Sequence, residues 1–171
     1  AVFVNVEGKR FISELTTRDK TSAAVSAQTG GVAFENFDQK VRDAVKQTAA
    51  AFELGLAKEG ATLEELAVNA GIDPKALVAT IGKYNEYAKA GKDPDFDRPG
   101  IKDLVDTPPF YAIKITPAIH HHMGGVKIDA EARVIDTAGK PIDRLFAAGE
   151  VTGGVHGKNR LGGNAVADTI T

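Results

Sequence analysis

The sequence predicts an α+β fold in two parts. Helical and strand patterns mix over residues 1–110, and strand patterns dominate residues 111–171 up to a final glycine-rich loop. Three observations carry this reading. Leu77, Ile81, Tyr84 and Ala88 recur at spacings of four and three, the period of an amphipathic helix. Val32 to Phe37 and Tyr111 to Thr116 are short runs with strand character. Residues 147–165 hold six glycines, entered from the apolar run Arg144–Ala148 and left through the helix-like run Ala165–Ile170. The composition shifts near residues 105–117, where the two parts are expected to meet.

Val2 to Val6 reads as a strand, and Glu7-Gly8-Lys9-Arg10 as a tight turn into Phe11-Ile12. A helix is expected from Thr16 or Thr17 as cap, with Asp19 in its first turn, and Gly30-Gly31 is expected to end it. Asp38 is placed to cap a helix reaching about Lys46. Phe52, Leu54 and Leu56 alternate, which favours a strand within 47–61. Thr62-Leu63-Glu64-Glu65 is a capping box whose helix stops at Gly71. Asp73-Pro74 is a capping aspartate with proline at the first helical position, opening a helix that Gly91 closes. A loop rich in proline and aspartate spans 92–109. Val126–Asp129 and Ala132–Asp136 are expected to pair as a hairpin, and 137–141 to form a turn into the strand 145–148.

Bulk properties exclude several functions. In 171 residues the net charge is -2, so no electropositive surface for nucleic acid or anionic lipid is implied. Cysteine is absent, which removes disulfides, thiolate metal sites and cysteine nucleophiles. No run of about 18 apolar residues spans a membrane. The chain starts in a strand-like run without methionine and stops inside an apolar helical pattern, so a fragment of a longer protein is expected.

The chemistry-bearing residues cluster late. Gly149 to Ala165 combines glycine, which lets backbone approach a ligand, with Glu150, His156, Lys158 and Arg160. Arg160 can be a surface or loop-bracing arginine, or a forked donor for a carboxylate. Glu150 can accept from a sugar hydroxyl or brace the loop. His156 has no partner visible in the sequence and reads as structural. The run His120-His121-His122 is a weak metal motif, since neighbours on a strand point to opposite faces. Gly157-Lys158-Asn159 fails the phosphate-loop pattern at Thr152 and Asn159, and G-x-G-x-x-G is absent.

Three motifs in order resemble one family. Glu7-Gly8-Lys9-Arg10-Phe11-Ile12-Ser13-Glu14-Leu15-Thr16-Thr17-Arg18-Asp19 resembles the start of the capping (clamp) domain of soluble flavin-dependent fumarate reductases, the flavocytochrome c and urocanate-reducing enzymes among them. His120-His121-His122-Met123-Gly124-Gly125 is similar to their H-H-T-M-G-G, with His122 where threonine is usual. Ala148–Gly157 and Asn159–Ala165 resemble their C-terminal flavin and substrate loop. The resemblance implies a capping domain over residues 1–110 and, over 111–171, a β-rich C-terminal part of an FAD-binding domain.

The resemblance further implies Arg18 as catalytic proton donor, His120 and Arg160 as ligands of a substrate carboxylate, and Glu150, Leu161, Asn164 and Ala165 as contacts of FAD. Hydride would pass from flavin N5 to the double bond of a 2-enoate of fumarate or urocanate type. The main FAD-binding domain, and any haem, would lie in the remainder of the polypeptide, with which this chain is expected to associate. A periplasmic location is implied. The fragment alone is expected to bind flavin weakly and to reduce nothing. Two other readings remain: oxidation in the manner of succinate dehydrogenase or L-aspartate oxidase, and a non-catalytic module binding an anion or a metal.

Overall fold

A computed structural model describes residues 1–157, 159, 160 and 162–170. The chain divides into two compact units, Ala1–Pro117 and Ala118–Thr171.

The first unit is built on a four-stranded antiparallel sheet. Its strands are β1 (Val2–Val4), β2 (Ala33–Asp38), β3 (Ala57–Gly60) and β4 (Phe110–Ile115), ordered β1-β2-β4-β3. Between β1 and β2 runs helix α1 (Arg18–Ser26), which ends before a short 3-10 turn at Thr29–Gly31. The helix is therefore shorter than Gly30-Gly31 implied, because Gln28 leaves helical geometry and Gly30 has a φ of 73°. Helix α2 (Gln39–Ala44) is capped by Asp38, whose carboxylate accepts from the Val41 N–H at 3.3 Å. The same buried carboxylate accepts from Asp106 N and Thr107 N, both at 3.2 Å, so it ties the end of β2 to the loop before β4.

Residues 47–61 differ from the expected strand. Ala49–Glu53 is a helix, α3, and only Ala57–Gly60 is extended. The alternation of Phe52, Leu54 and Leu56 is not a buried face: Leu54 and Leu56 are exposed, and Phe52 packs edge-on against Tyr111 with centroids 5.0 Å apart. Arg42 lies 4.3 Å over the Phe52 ring and donates to the Tyr111 hydroxyl at 2.6 Å. Packing of one aromatic side chain thus outweighs the local period.

Helices α4 (Leu63–Ala70) and α5 (Pro74–Ala90) supply the core against the sheet. Thr62 caps α4 by accepting from Glu65 N at 3.2 Å, and Glu65 reaches back to Ala61 N at 2.9 Å. Asp73 caps α5 through Ala76 N at 2.8 Å, with Pro74 at the first turn. Both helices end at glycines in the left-handed region, Gly71 and Gly91. Leu77, Ile81, Tyr84 and Ala88 form the buried stripe and meet Val2, Val4, Phe34, Leu66 and Ala112. The opposite side of β2 is covered too, because Phe37 stacks on Tyr111 at 5.5 Å.

One buried ionic group joins distant segments of this unit. Glu14 accepts from Arg10 Nε and Nη2, both at 2.8 Å, from Arg98 Nη1 at 2.9 Å and from Phe3 N at 3.2 Å. Arg10 also pairs with the buried Asp93 at 2.7 Å and lies over the rings of Tyr84 and Phe96. Burial opposes the charge on Arg10, but its bonds to Glu14 and Asp93 raise its pKa above the ordinary value. For Asp93, burial pushes upward. Arg10 and the N–H groups of Phe96 and Arg98 outweigh it and hold the carboxyl below its usual range.

The second unit contains a two-stranded sheet, β5 (Arg133–Ile135) with β6 (Pro141–Phe146). The expected hairpin of 126–129 with 132–136 forms as an irregular pairing rather than a ladder. Ile128 bridges Val134 antiparallel, with Asp129 N donating to Arg133 O at 3.1 Å and Ile135 N to Lys127 O at 2.8 Å, while Val126 bridges Thr152 and β5 forms its ladder with β6. The Asp136 carboxylate accepts from Ala138 N and Lys140 N, both at 2.8 Å, which closes the turn into β6. Helix α6 (Asn164–Ile170) ends the described chain. No helix among the described residues is long and apolar enough to cross a membrane.

Replacing Glu14 by glutamine leaves the shape and removes the charge shared by Arg10 and Arg98. The expected cost is about 3 kcal/mol in chemical denaturation, as for other broken buried pairs. The depressed Asp93 pKa stabilises the fold above the unfolded carboxylate range near ~4 and loses that contribution as pH falls through the folded value. Denaturation midpoints should therefore be level near pH 6 and fall below about pH 4, with a shallower acid fall in Asp93→Asn.

Candidate functional site

The second unit gathers most of the residues singled out by sequence. After β6 the chain turns through a 3-10 turn at Gly149–Val151, and Thr152 closes it by donating from both N and Oγ1 to Gly149 O, at 2.9 and 2.8 Å. This turn presents Glu150, whose side chain is about two-fifths exposed. Gly149 needs its positive φ of 77° here, and α6 packs close by through Thr169.

The turn sits directly against the histidine–glycine segment. Val126 N donates to Val151 O at 2.9 Å and Gly153 N to Val126 O at 3.0 Å. Side chains are excluded from this contact. A Cβ on Gly125 would lie 2.1 Å from Val151 O, and one on Gly153 would lie 2.5 Å from Gly125 N. The two glycines are therefore required by backbone approach between two loops. Gly154, Gly157 and Gly163 differ: each has positive φ, and a Cβ there would meet nothing within 4 Å. At these three positions the direction a side chain would take is open.

Glu150 is held by His122. The His122 backbone N–H donates to Glu150 Oε1 at 3.1 Å, and His122 Nδ1 lies 3.2 Å from the same oxygen. The backbone bond from His122, then the charges of His121, His122 and His120, hold the Glu150 carboxyl below its ordinary range. Glu150 Oε2 has no partner among the described residues. Of the other expected site residues, His120 and Asn164 are exposed, and Arg160 and Ala165 are half-buried. Leu161 lies outside the described residues. Arg18 belongs to the first unit, exposed as the first residue of α1. Next to it, Asp19 has its carboxyl held below the usual range, first by Thr17.

A second polar cluster lies in the same unit and was not legible in the sequence. His156 Nε2 is 3.2 Å from Asp168 Oδ2, and the His121 and His156 rings meet edge to face with centroids 5.3 Å apart. One donor atom from each of His121, His156 and Asp168 falls within 4.8 Å of the others, a spacing that invites a metal reading. The tautomer of His121 argues against it. Met123 N donates to His121 Nδ1 at 2.9 Å, so in the neutral ring the proton sits on Nε2. An Nε2–H group repels a cation, and ligation through that nitrogen would need the Met123 bond broken. His156 and Asp168 are twelve residues apart on a loop and a helix, a separation that leaves no local pattern to read.

These residues fit a flavin in kind. A partly exposed carboxylate suits a ribityl hydroxyl, and glycines with open space where a side chain would stand admit a planar ring.

Comparison with known proteins agrees. Residues 1–166 match the family described as FAD binding domain. Over all 171 residues the chain is 49% identical to a protein named fumarate reductase (cytochrome) from Shewanella frigidimarina, of which it covers 30%. It is 43% identical, over 99% of its length, to NADH:acrylate oxidoreductase from Vibrio harveyi, covering 17% of that protein. Among solved structures, the open conformation of a flavocytochrome c3 fumarate reductase superposes with a TM-score of 0.86 at 49% identity, over 99% of this chain and 30% of that one. The chain thus spans less than a third of the length of these relatives. It belongs to the FAD-binding domain family, and its α+β fold is that of a fumarate reductase flavoprotein.

The glycine contacts give a direct test. Gly125→Ala and Gly153→Ala should each cost about 1–3 kcal/mol in denaturation through overpacking. Gly124→Ala, which meets no atom within 4 Å, should be close to neutral.

Proposed function

We propose that this chain is part of a flavin-dependent reductase of 2-enoates, with residues 1–110 as its capping domain and 111–171 as the C-terminal part of its FAD-binding domain. The observation that carries the reading is the 49% identity to a fumarate reductase over the whole chain, joined to a TM-score of 0.86 with a flavocytochrome c3 fumarate reductase. The substrate is a small carboxylate with a double bond beside the carboxyl group, of fumarate or urocanate type.

Each residue then has a task set by its chemistry. FAD, when bound and in its two-electron-reduced form, would supply the hydride for the β-carbon of the alkene and be oxidised in doing so. Glu150 would hold the cofactor by accepting from a ribityl hydroxyl, and Leu161, Asn164 and Ala165 would be its further contacts. Arg160 grips the substrate carboxylate with its planar fork, and His120 adds a second donor. Together they draw charge toward that carboxylate as electron density arrives at the α-carbon. They also fix the alkene in place for transfer. Arg18 gives the α-carbon its proton. The balance is one hydride and one proton added across one C=C bond. Guanidinium is a weak acid in water, with a pKa above ~12, so Arg18 delivers a proton only to a strongly basic carbon and must be refilled by a relay.

The test is turnover by the full-length polypeptide with a panel of enoates. Arg18→Ala should lower kcat by about 100- to 10,000-fold while the protein stays yellow with bound flavin. Arg160→Lys keeps the charge and loses the fork, and should lower kcat/KM about 100-fold or more. Turnover that survives in Arg18→Ala removes the proton-donor role. Absence of flavin in the purified full-length protein removes the whole reading.

A further inference from the structure

We propose that His122 is a positioning residue for Glu150, and that it makes flavin binding depend on pH. This rests on the assignment of Glu150 to the flavin. The resembled pattern has threonine where this chain has His122, so the device belongs to this chain's own sequence.

Two contacts from one residue converge on one oxygen. The His122 backbone N–H reaches Glu150 Oε1 at 3.1 Å and its ring Nδ1 stands 3.2 Å from that atom. The backbone bond is constant. The ring contact is not, because a neutral imidazole shares its proton between Nδ1 and Nε2, and only the Nδ1–H form donates to Oε1. A protonated imidazole carries hydrogen on both nitrogens, so its Nδ1 always donates and adds charge. In that state Oε1 is fully engaged, the carboxylate rotor is fixed, and Oε2 is left for a ribityl hydroxyl. In the neutral state the carboxylate swings more freely and the cofactor must order it on binding.

Other ionisable groups flank this pair. His120 and His121 precede His122 on the same segment and act on the Glu150 carboxylate. Beyond His121 stand His156 on the glycine loop and Asp168 on α6. His156 and Asp168 face each other, and His121 Nδ1 is taken by Met123 N. Among these groups, His122 is the one in direct contact with Glu150 through both backbone and ring. Its side chain is mostly exposed, so its exchange does not disturb a core and the effect on affinity is modest.

The experiment titrates FAD into the apo form of the full-length protein at about pH 5.5 and about pH 8.5, values that bracket imidazole titration. The wild-type dissociation constant should be about two- to fivefold lower at the acid pH, the scale of an exposed ion pair. His122→Thr, which restores the residue of the resembled pattern, should bind like wild type at high pH and lose the acid gain. His122→Gln has a neutral side-chain N–H donor and should bind with intermediate affinity at both pH values. A purely structural role would lower affinity equally at both. Equal pH dependence in wild type and His122→Thr, or none in wild type, overturns the proposal. Glu150→Ala separates the two layers: if it leaves FAD affinity unchanged, the assignment of Glu150 to the flavin fails, whatever His122 does.

Discussion

The Glu14 carboxylate is the interaction on which the first unit most depends. It is nearly buried and takes hydrogen bonds from Arg10, Arg98 and the backbone of β1. It therefore fixes three segments that are far apart in sequence: the first strand, the hairpin arm at residue 10, and the loop around residue 98. Without it, Arg10 would keep Asp93 and Arg98 would keep the Ala1 carbonyl, leaving two largely buried guanidinium groups with one carboxylate. The network also anchors the approach to α1. Arg18, the residue proposed to donate a proton, comes four residues after Glu14 and opens α1. A catalytic arginine gains from such support, since its side chain is long and its rotamer freedom large.

The second unit is ordered by a different constraint, the approach of two backbones. Gly125 and Gly153 allow the histidine segment to lie against the turn that carries Glu150. From that approach come the His122 contacts and the bridge Val126↔Thr152. Gly154, Gly157 and Gly163 serve the opposite end, by leaving room where a side chain would stand. One loop thus uses glycine in two ways. Some positions have no room for a side chain, and others have room that a ligand can take. Only the first kind shows up as a steric clash within the chain itself.

Much of the fold was legible because it rests on local chemistry. The caps at Asp38, Thr62 and Asp73 and the stops at Gly71 and Gly91 lie where short motifs place them. The buried stripe of α5 follows from period alone. The failures are tertiary. Phe52 takes its place from Tyr111, a residue of β4, so its local alternation with Leu54 and Leu56 misled. Residues 126–129 keep their expected partner only in part: Ile128 bridges Val134, while Val126 bridges Thr152 beside the glycine loop. In the candidate site, the glycine loop and its charged residues stand out in the sequence. The partner of Glu150 did not, because His122 reaches it from twenty-eight residues away. Nor did the His156–Asp168 pair, which joins a loop to a helix with no repeating spacing.

The proposed chemistry turns on where a substrate carboxylate binds. The most direct measurement is a crystal structure of the full-length protein with FAD and a saturated dicarboxylate that cannot be reduced. The expected result is the Arg160 guanidinium in a two-pronged hydrogen bond to one carboxylate, His120 on the same group, and Glu150 accepting from a ribityl hydroxyl. A dicarboxylate bound away from Arg160, or a flavin whose ribityl chain does not meet Glu150, would contradict it.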